Sequence, residues 1–214
     1  MAISVFLADP HAMVRDGMTL LLEAQDDMHV VGHAASGPEA VREVSRLCPD
    51  LAILGSTLPG LCGIDATREI RVACPRVKVL ILSMFSSVDQ VAQSLQAGAH
   101  GYLVLAATGA ELVHAVRTVH GGQRYLSGKL TGALLDEYSG RRPGSSPPTI
   151  LSSRERQILQ LVVEGKSSAH AARMLYLSPK TVETYRSRLM RKLGIEGFPA
   201  LIKYAIRQGL IPLE

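Results

Sequence analysis

The first 121 residues alternate between short apolar runs and amphipathic segments, and this alternation constrains the fold more than any other feature. The apolar runs predict strands at Ile3–Ala8, His29–Ala35, Leu51–Leu54, Val77–Ser83 and Gly101–Leu105. The segments between them predict helices over residues 12–24, 38–47, 64–73, 87–97 and 109–120. Strands that alternate with helices form a mostly parallel sheet with helices on both faces. We therefore expect an α/β domain around a five-stranded parallel sheet.

The chain changes character after this domain. Residues 122–149 are rich in proline, glycine and serine, which predicts a linker with a short helix near 129–138. Residues 150–214 show only helical patterns, and we expect helices over 152–164, 168–175, 179–192 and 198–208. The predicted organisation is an α/β domain over 1–121, a linker and an all-α domain over 150–214.

The charges of the two predicted domains differ in sign. Residues 1–149 carry 12 lysines and arginines against 14 acidic residues, a net charge of −2, whereas residues 150–214 carry 11 against 5, a net charge of +6. A small basic domain suggests a nucleic-acid partner. The first residues lack a basic leader, and no run approaches the roughly 20 apolar residues of a membrane span, so we expect a cytoplasmic protein that does not enter the membrane.

The cysteines and histidines give no sign of a metal site. Cys48, Cys62 and Cys74 are odd in number and lack CxxC spacing, so we expect three plain thiols, with Cys62 the most exposed. Cys48 and Cys74 each precede a proline at the end of a helical pattern. The seven histidines show no ligand spacing either. We expect neither a metal nor another cofactor.

The predicted helix over 179–192 has two opposed faces. Ser178 is a suitable N-cap before Pro179, and Val182, Leu189 and Leu193 share one apolar face. The opposite arc holds cations and short polar groups: Lys180, Glu183, Thr184, Ser187, Arg188 and Arg191. Such a helix could enter the major groove of DNA, with cations on phosphates and polar groups on base edges. The alternative is an ordinary solvated helix face.

A family resemblance covers this basic domain. Its motifs are Ser153-Arg154-Glu155, Gly165-Lys166, Ala171-Ala172, Leu177-Ser178, Lys180-Thr181-Val182-Glu183, Arg186-Ser187-Arg188 and Lys192-Leu193-Gly194. They resemble the LuxR-type helix-turn-helix of NarL/FixJ-family response regulators, in which the helix matching 179–192 reads DNA. The resemblance implies double-stranded DNA, a homodimer on two half-sites and RNA polymerase as partners. The DNA-binding residues that we predict are Lys180, Thr181, Glu183, Thr184, Ser187, Arg188, Arg191 and Lys192.

The N-terminal domain resembles the receiver of the same family, in Ala8-Asp9, His11, Leu58-Pro59-Gly60, Gly63, Ser83 and Gly98–Tyr102. A working receiver holds Mg²⁺ with two adjacent acids and an aspartate, and that aspartate is the phosphoacceptor. A hydroxyl and a lysine bind the transferred phosphoryl group. Residue by residue, this chain keeps the first acid as Asp9 and the hydroxyl as Ser83. The second acid is replaced by Pro10, the phosphoacceptor by Gly55 and the lysine by Leu105.

These replacements remove the family's chemistry. Glycine has no nucleophile, leucine has no cation, and Asp9 alone is a poor Mg²⁺ cage. The neighbouring hydroxyls of Ser56, Thr57 and Ser83 lack a base or metal to activate them, so we predict no catalytic residue. Gly55 could serve a backbone conformation that other residues cannot adopt. The less polar pocket could be a dry plug or a small-ligand cleft.

The sequence thus predicts a DNA-binding transcriptional regulator that acts without aspartyl phosphorylation. An alternative keeps the DNA-binding role but makes the receiver a sensor of a small ligand, redox state or partner protein. A conventional phosphorelay receiver conflicts with Pro10, Gly55 and Leu105, and no GxGxxG or GxxxxGK[ST] follows a predicted strand to support a nucleotide enzyme. Tyr102, at the family's switch position, is predicted to be a fixed packing or interface residue. Leu112, Val113, Val116 and Val119 could flank a dimer face or pack on the sheet.

Overall fold

The parallel sheet predicted from the alternating pattern is present in the computed structural model, which describes residues 2–84, 88–128, 130, 151–207 and 210–211. Its strands are β1 (Ile3–Ala8), β2 (Met28–Ala34), β3 (Leu51–Gly55), β4 (Lys78–Ser83), β5 (Gly101–Val104) and β6 (Tyr125–Leu126). They lie in the order β2-β1-β3-β4-β5-β6, and every neighbouring pair is parallel. The first five strands follow the flavodoxin-like order, in which ligands bind beyond the carboxyl ends of the strands.

Within the described residues, the helices that cover the sheet are α1 (Ala12–Glu23), α2 (Gly37–Leu47), α3 (Gly63–Ala73), α4 (Val88–Gln96) and α5 (Gly109–His120). Alternate residues of the central strands enter two different cores, as the two-residue period of a strand requires. Phe6 and Leu54 belong to the core beneath α2, α3 and α4. Leu7 and Ile53 belong to the core beneath α1 and α5. Burial on both faces explains why these strands are almost continuously apolar.

The sheet is wider than the five strands that the sequence predicted. β6 pairs with β5, and the backbone N–H of Val104 donates to Ser127 Oγ at 3.2 Å. Leu130 is buried in the core beneath α2, α3 and α4. The sheet therefore continues into the segment predicted to be a linker, because a two-residue strand is too short to produce a recognisable pattern. Apart from residue 130, the short helix predicted near 129–138 lies outside the described residues, as do residues 131–150.

The basic C-terminal domain is helical, as predicted. Its helices are α6 (Ser153–Val163), α7 (Ser168–Met174), α8 (Pro179–Leu193) and α9 (Phe198–Arg207). The serines at positions 152, 167 and 178 each accept a hydrogen bond from a backbone N–H of the following helix, which fixes where α6, α7 and α8 begin. None of the helices described is long and apolar enough to cross a lipid bilayer.

Two predictions about the cysteines are wrong. Cys48 and Cys74 form a disulfide with their Cα atoms 6.2 Å apart, and Cys62 is only 1% exposed. Cys48 caps the C-terminus of α2 and Cys74 caps that of α3, so the proline-terminated ends of two neighbouring helices place the sulfurs side by side. Cys62 lies between the receiver and the C-terminal domain, where burial raises its pKa to about 12.

Candidate functional site

The receiver positions identified from the sequence lie together at the carboxyl ends of the strands. Asp9 directly follows β1, Gly55 ends β3, Ser83 ends β4 and Leu105 directly follows β5. The carboxylate of Asp9 is largely buried, at 8% exposure of the residue. Its Oδ1 accepts a hydrogen bond from the His11 backbone N–H at 2.9 Å and lies 2.8 Å from His11 Nδ1. The retained acid is therefore held in place by His11, two residues further along the chain.

Gly55 has an ordinary strand conformation, so the suggestion that its backbone requires glycine is wrong. It is absent from the glycines with positive φ, which are found elsewhere in the chain. A Cβ at position 55 would lie 3.0 Å from Asp9 Oδ2 and 3.3 Å from the Ala8 carbonyl oxygen. A side chain here would point directly at the Asp9 carboxylate. Glycine at position 55 therefore affects the chemistry of the pocket more than its packing, because an added Cβ would meet only a small steric obstacle.

The retained hydroxyl belongs to a buried hydrogen-bond network. Ser56 Oγ donates to Ser83 Oγ at 2.9 Å, and Ser83 also bonds to Tyr102. The Tyr102 hydroxyl lies 3.2 Å from Gln90 Oε1, to which it donates, and burial raises the pKa of Tyr102 to about 12. Tyr102 is fully buried, in agreement with its prediction as a fixed packing residue. Leu112, Val113, Val116 and Val119 are also buried in the core, which favours the sheet-packing interpretation for them.

Leu105 stands at the position of the receiver lysine, directly after β5. It is 41% exposed and lines an apolar hollow between α1, α5 and the ends of β4 and β5. Pro10, in the turn between β1 and α1, is only partly buried. Asp9, Gly55 and Ser83 do not line this hollow, so the choice between a plug and a cleft at their pocket stays as the sequence left it.

The predicted recognition helix, α8, has the two faces expected from its sequence. Val182 and Leu189 are fully buried in the core of the C-terminal domain. The polar arc is exposed and lines an open depression of about 640 Å³: Lys180, Glu183, Thr184, Ser187, Arg188 and Arg191. An exposed helix face with three cations, short polar groups and a firmly packed opposite side is suited to the major groove.

Several of these side chains are positioned by neighbours. The Arg188 guanidinium lies 5.7 Å from the centre of the Tyr185 ring, and Thr184 Oγ1 donates to the Lys180 carbonyl at 2.9 Å. Two of the predicted DNA-binding residues have contacts within the domain. Thr181 is half-buried, and its backbone N–H donates to Oγ of Ser178, the N-cap residue of α8. Lys192 Nζ donates to Glu155 Oε2 at 2.9 Å.

The sequence did not reveal how the two domains contact each other. Gln160 of α6 is 1% exposed and binds the loop that follows β3. Its Nε2 donates to the Leu58 carbonyl at 2.7 Å, while its Oε1 accepts from the Cys62 N–H at 2.8 Å. Glu164 Oε1 accepts from the Gly60 N–H at 3.0 Å and from Gln160 Nε2 at 2.8 Å. We call Gln160 and Glu164, with their partners in residues 58–62, the interdomain clamp.

Further contacts extend the interdomain clamp toward α4. Arg156 Nη1 donates to Gln93 Oε1 at 2.8 Å, and Ile64 and Ala97 of the receiver join the apolar core of the C-terminal domain. The clamp residues of the C-terminal domain belong to α6 and its C-cap, and not to α8. The polar arc of α8 is therefore exposed while the two domains are in contact. The loop in the clamp begins directly after Gly55, so it connects the carboxyl end of β3 to the C-terminal domain.

The interdomain clamp gives a test of domain docking. Gln160→Met keeps the length of the side chain but leaves the Leu58 carbonyl and the Cys62 N–H without partners, which should destabilise the docked form by about 2–4 kcal/mol. Hydrogen exchange at residues 58–62 should accelerate accordingly. Gln157→Met is the matched control, because Gln157 accepts a hydrogen bond from Arg154 within α6, at 3.0 Å, and is not part of the interdomain clamp. Equal exchange rates in the two variants would contradict the assignment.

Comparisons with known proteins agree with this organisation. Residues 5–117 match the model of the response regulator receiver domain, and residues 149–205 match that of the bacterial regulatory proteins of the luxR family. The chain is 37% identical to the oxygen regulatory protein NreC of Staphylococcus epidermidis over 97% of this chain and 98% of that protein. It is 38% identical to NreC of Staphylococcus carnosus with the same coverage.

Solved structures show the same two-domain architecture. The response regulator ChrA of a heme-sensing two-component system is 32% identical, with a TM-score of 0.53 over 98% of this chain and 99% of that chain. RcsB of Salmonella enterica bound to promoter DNA has a TM-score of 0.69 over 95% of this chain and 98% of that chain, but at 24% identity it supports the fold alone. With a receiver, a LuxR-type domain and relatives matched along nearly its whole length, the chain belongs to the DNA-binding two-component response regulators that join these two domains.

Proposed function

We propose that this response regulator controls transcription without aspartyl phosphorylation, binding DNA as a homodimer and acting on RNA polymerase. The observation that carries the proposal is Gly55 at the end of β3, facing Asp9, where the receiver chemistry needs a nucleophilic carboxylate. The lysine position is Leu105, which is directed into an apolar hollow and supplies no charge for a phosphoryl oxygen.

The position of the C-terminal domain supports activity without a phosphoryl signal. A signal can shift an equilibrium between two forms only if it has different affinities for them. Here the interdomain clamp binds α6 and leaves the polar arc of α8 exposed, so the docked form needs no separation of the domains before that face can reach DNA. We therefore infer that the form competent for DNA is populated without an activator.

A second candidate keeps the same DNA-binding role and gives the receiver a sensory function. The apolar hollow that Leu105 lines favours it, because it offers space between aliphatic side chains at the carboxyl ends of β4 and β5, the edge at which open α/β sheets bind ligands. A bound molecule, rather than a phosphoryl group, would then be the input.

The test of the proposed function is treatment of the full-length protein with acetyl phosphate and Mg²⁺. We expect no phosphoryl adduct by intact mass and no change in DNA affinity or in oligomeric state, because position 55 cannot form an acyl phosphate. The untreated protein should already bind a selected DNA site as a dimer. A stoichiometric adduct on any receiver residue, or DNA binding that requires the treatment, would refute the proposal.

A further inference from the structure

The hollow beside Leu105 is built from both helix and sheet. It has a volume of about 200 Å³ and lies between α1 and α5, above the carboxyl ends of β4 and β5. Its deep wall consists of side chains that are almost fully buried, among them Met18, Leu82, Leu103 and Leu112. Open α/β sheets place their ligands at this edge. The hollow is therefore a partly open depression, with a floor of buried apolar side chains and an exposed apolar rim.

Gly17 keeps the hollow open. It lies inside α1, where glycine is about 0.5–1 kcal/mol less favourable than alanine. A Cβ at position 17 would meet no atom within 4 Å, so packing does not require the missing side chain. At Gly109, the other glycine of the wall, a Cβ would lie 2.8 Å from Leu21 Cδ2. The two helices thus touch at Gly109 and leave unfilled space at Gly17.

The walls of the hollow determine the chemistry of an occupant. No lysine, arginine, histidine or acid is among the lining residues. Their one side-chain hydroxyl, that of Thr108, caps α5 with Glu111. A charged molecule would lose its hydration here without gaining an ion pair, which disfavours its binding strongly. The rim carries Met13 at 83% exposure and Leu105 at 41%, apolar surface that an occupant would remove from water.

We propose that this hollow is a binding site for a small neutral, apolar molecule with one or two rings. A cavity of about 150 Å³ lined by aliphatic side chains binds benzene, so a volume of 200 Å³ has room for a molecule somewhat larger. A stable protein interface buries more than about 1,000 Å², whereas the hollow fits one small molecule or one inserted side chain. This inference deepens the second candidate function by naming the chemical class of the bound molecule, and it is independent of whether the receiver is phosphorylated.

The probe for this site is indole, with indole-3-carboxylate as its charged counterpart. Titration into the full-length protein labelled with ¹³C at the methionine methyl groups should shift the signals of Met13 and Met18, which line the hollow. We expect the carboxylate to bind at least about tenfold more weakly, because its charge must be desolvated.

Substitutions at Gly17 locate the binding site. Gly17→Leu should fill the hollow and weaken indole binding at least about tenfold, whereas Gly17→Ala adds one methyl group and should stay within about threefold of the wild type. Both raise the helix propensity of α1, so Gly17→Ala controls for stability. Equal DNA affinity of all three proteins would show that they are folded.

Several results would overturn the assignment. Absence of indole binding by the wild type at millimolar concentration, or equal binding by Gly17→Leu, would exclude the hollow as the site. Equal binding of indole-3-carboxylate would exclude the neutral ligand class. Loss of the dimer in Gly17→Leu, without indole binding by the wild type, would show that a side chain of a second copy occupies the hollow instead. Each of these outcomes leaves the acetyl phosphate test of the proposed function unaffected.

Discussion

The combined variant Pro10→Asp, Gly55→Asp and Leu105→Lys should become phosphorylated by acetyl phosphate and Mg²⁺, whereas the wild type should not. The three changes restore a second acid, the nucleophile and a cation, and Ser83 already supplies the hydroxyl at the end of β4. Two more carboxylates complete an oxygen ligand set for Mg²⁺, and the lysine neutralises charge on the transferred group. We expect intact mass to change from no adduct to a substantial phosphorylated fraction.

The geometry at position 55 permits this restoration. The backbone of Gly55 lies outside the left-handed region, and the nearest obstacle to a new Cβ is the Asp9 carboxylate oxygen, 3.0 Å away. That carboxylate can move by a few tenths of an ångström about its own side-chain torsions. Gly55→Asp alone is the control, and it should remain unphosphorylated because Leu105 provides no cation. Phosphorylation of this single variant would contradict our view that Leu105 and Pro10 also abolish the chemistry.

The sequence predicted most helix boundaries to within one residue because local chemistry determines them. α8 begins at Pro179 because Ser178 caps it, and it ends before Gly194, which adopts a positive φ. The polar arc of α8 could be predicted for the same reason, since the helical period alone separates Val182 and Leu189 from Arg188. Features of this kind depend on residues that are close in the sequence.

Features that depend on distant residues could not be predicted. Gln160 lies on a helix where a glutamine normally faces solvent, and only the docked receiver gives its amide the partners Leu58 and Cys62. The Cys48–Cys74 disulfide joins positions 26 residues apart, and the proline after each cysteine located the helix ends without showing that they meet. For Gly55, the sequence showed the absence of a nucleophile, but only the backbone conformation could exclude a conformational need for glycine.

Loss of the two arginines on the recognition face should have the largest effect on DNA binding. Arg188→Ala together with Arg191→Ala removes two exposed cations from the polar arc of α8 without changing its buried side. If both contact phosphates, affinity for all DNA sequences should fall by about 100-fold at low salt. The dependence of log affinity on log salt concentration should become shallower by about 1.8, because each lost contact no longer releases condensed counterions.

The matched control for this loss of charge is Arg42→Ala together with Arg46→Ala. These exposed arginines on α2 pair with Glu43 in the receiver, so their removal changes the net charge equally at a distance from α8. We expect the DNA affinity of this double variant, and the salt dependence of its binding, to match those of the wild type closely.

Glu183→Ala and Thr184→Ala should instead change which base pairs are preferred in a selection from random DNA, because short polar groups on the same arc can reach base edges. If the α8 double variant behaved like the α2 control, a surface other than α8 would have to bind DNA, since a helix that reads the major groove cannot lose two phosphate contacts without weaker binding.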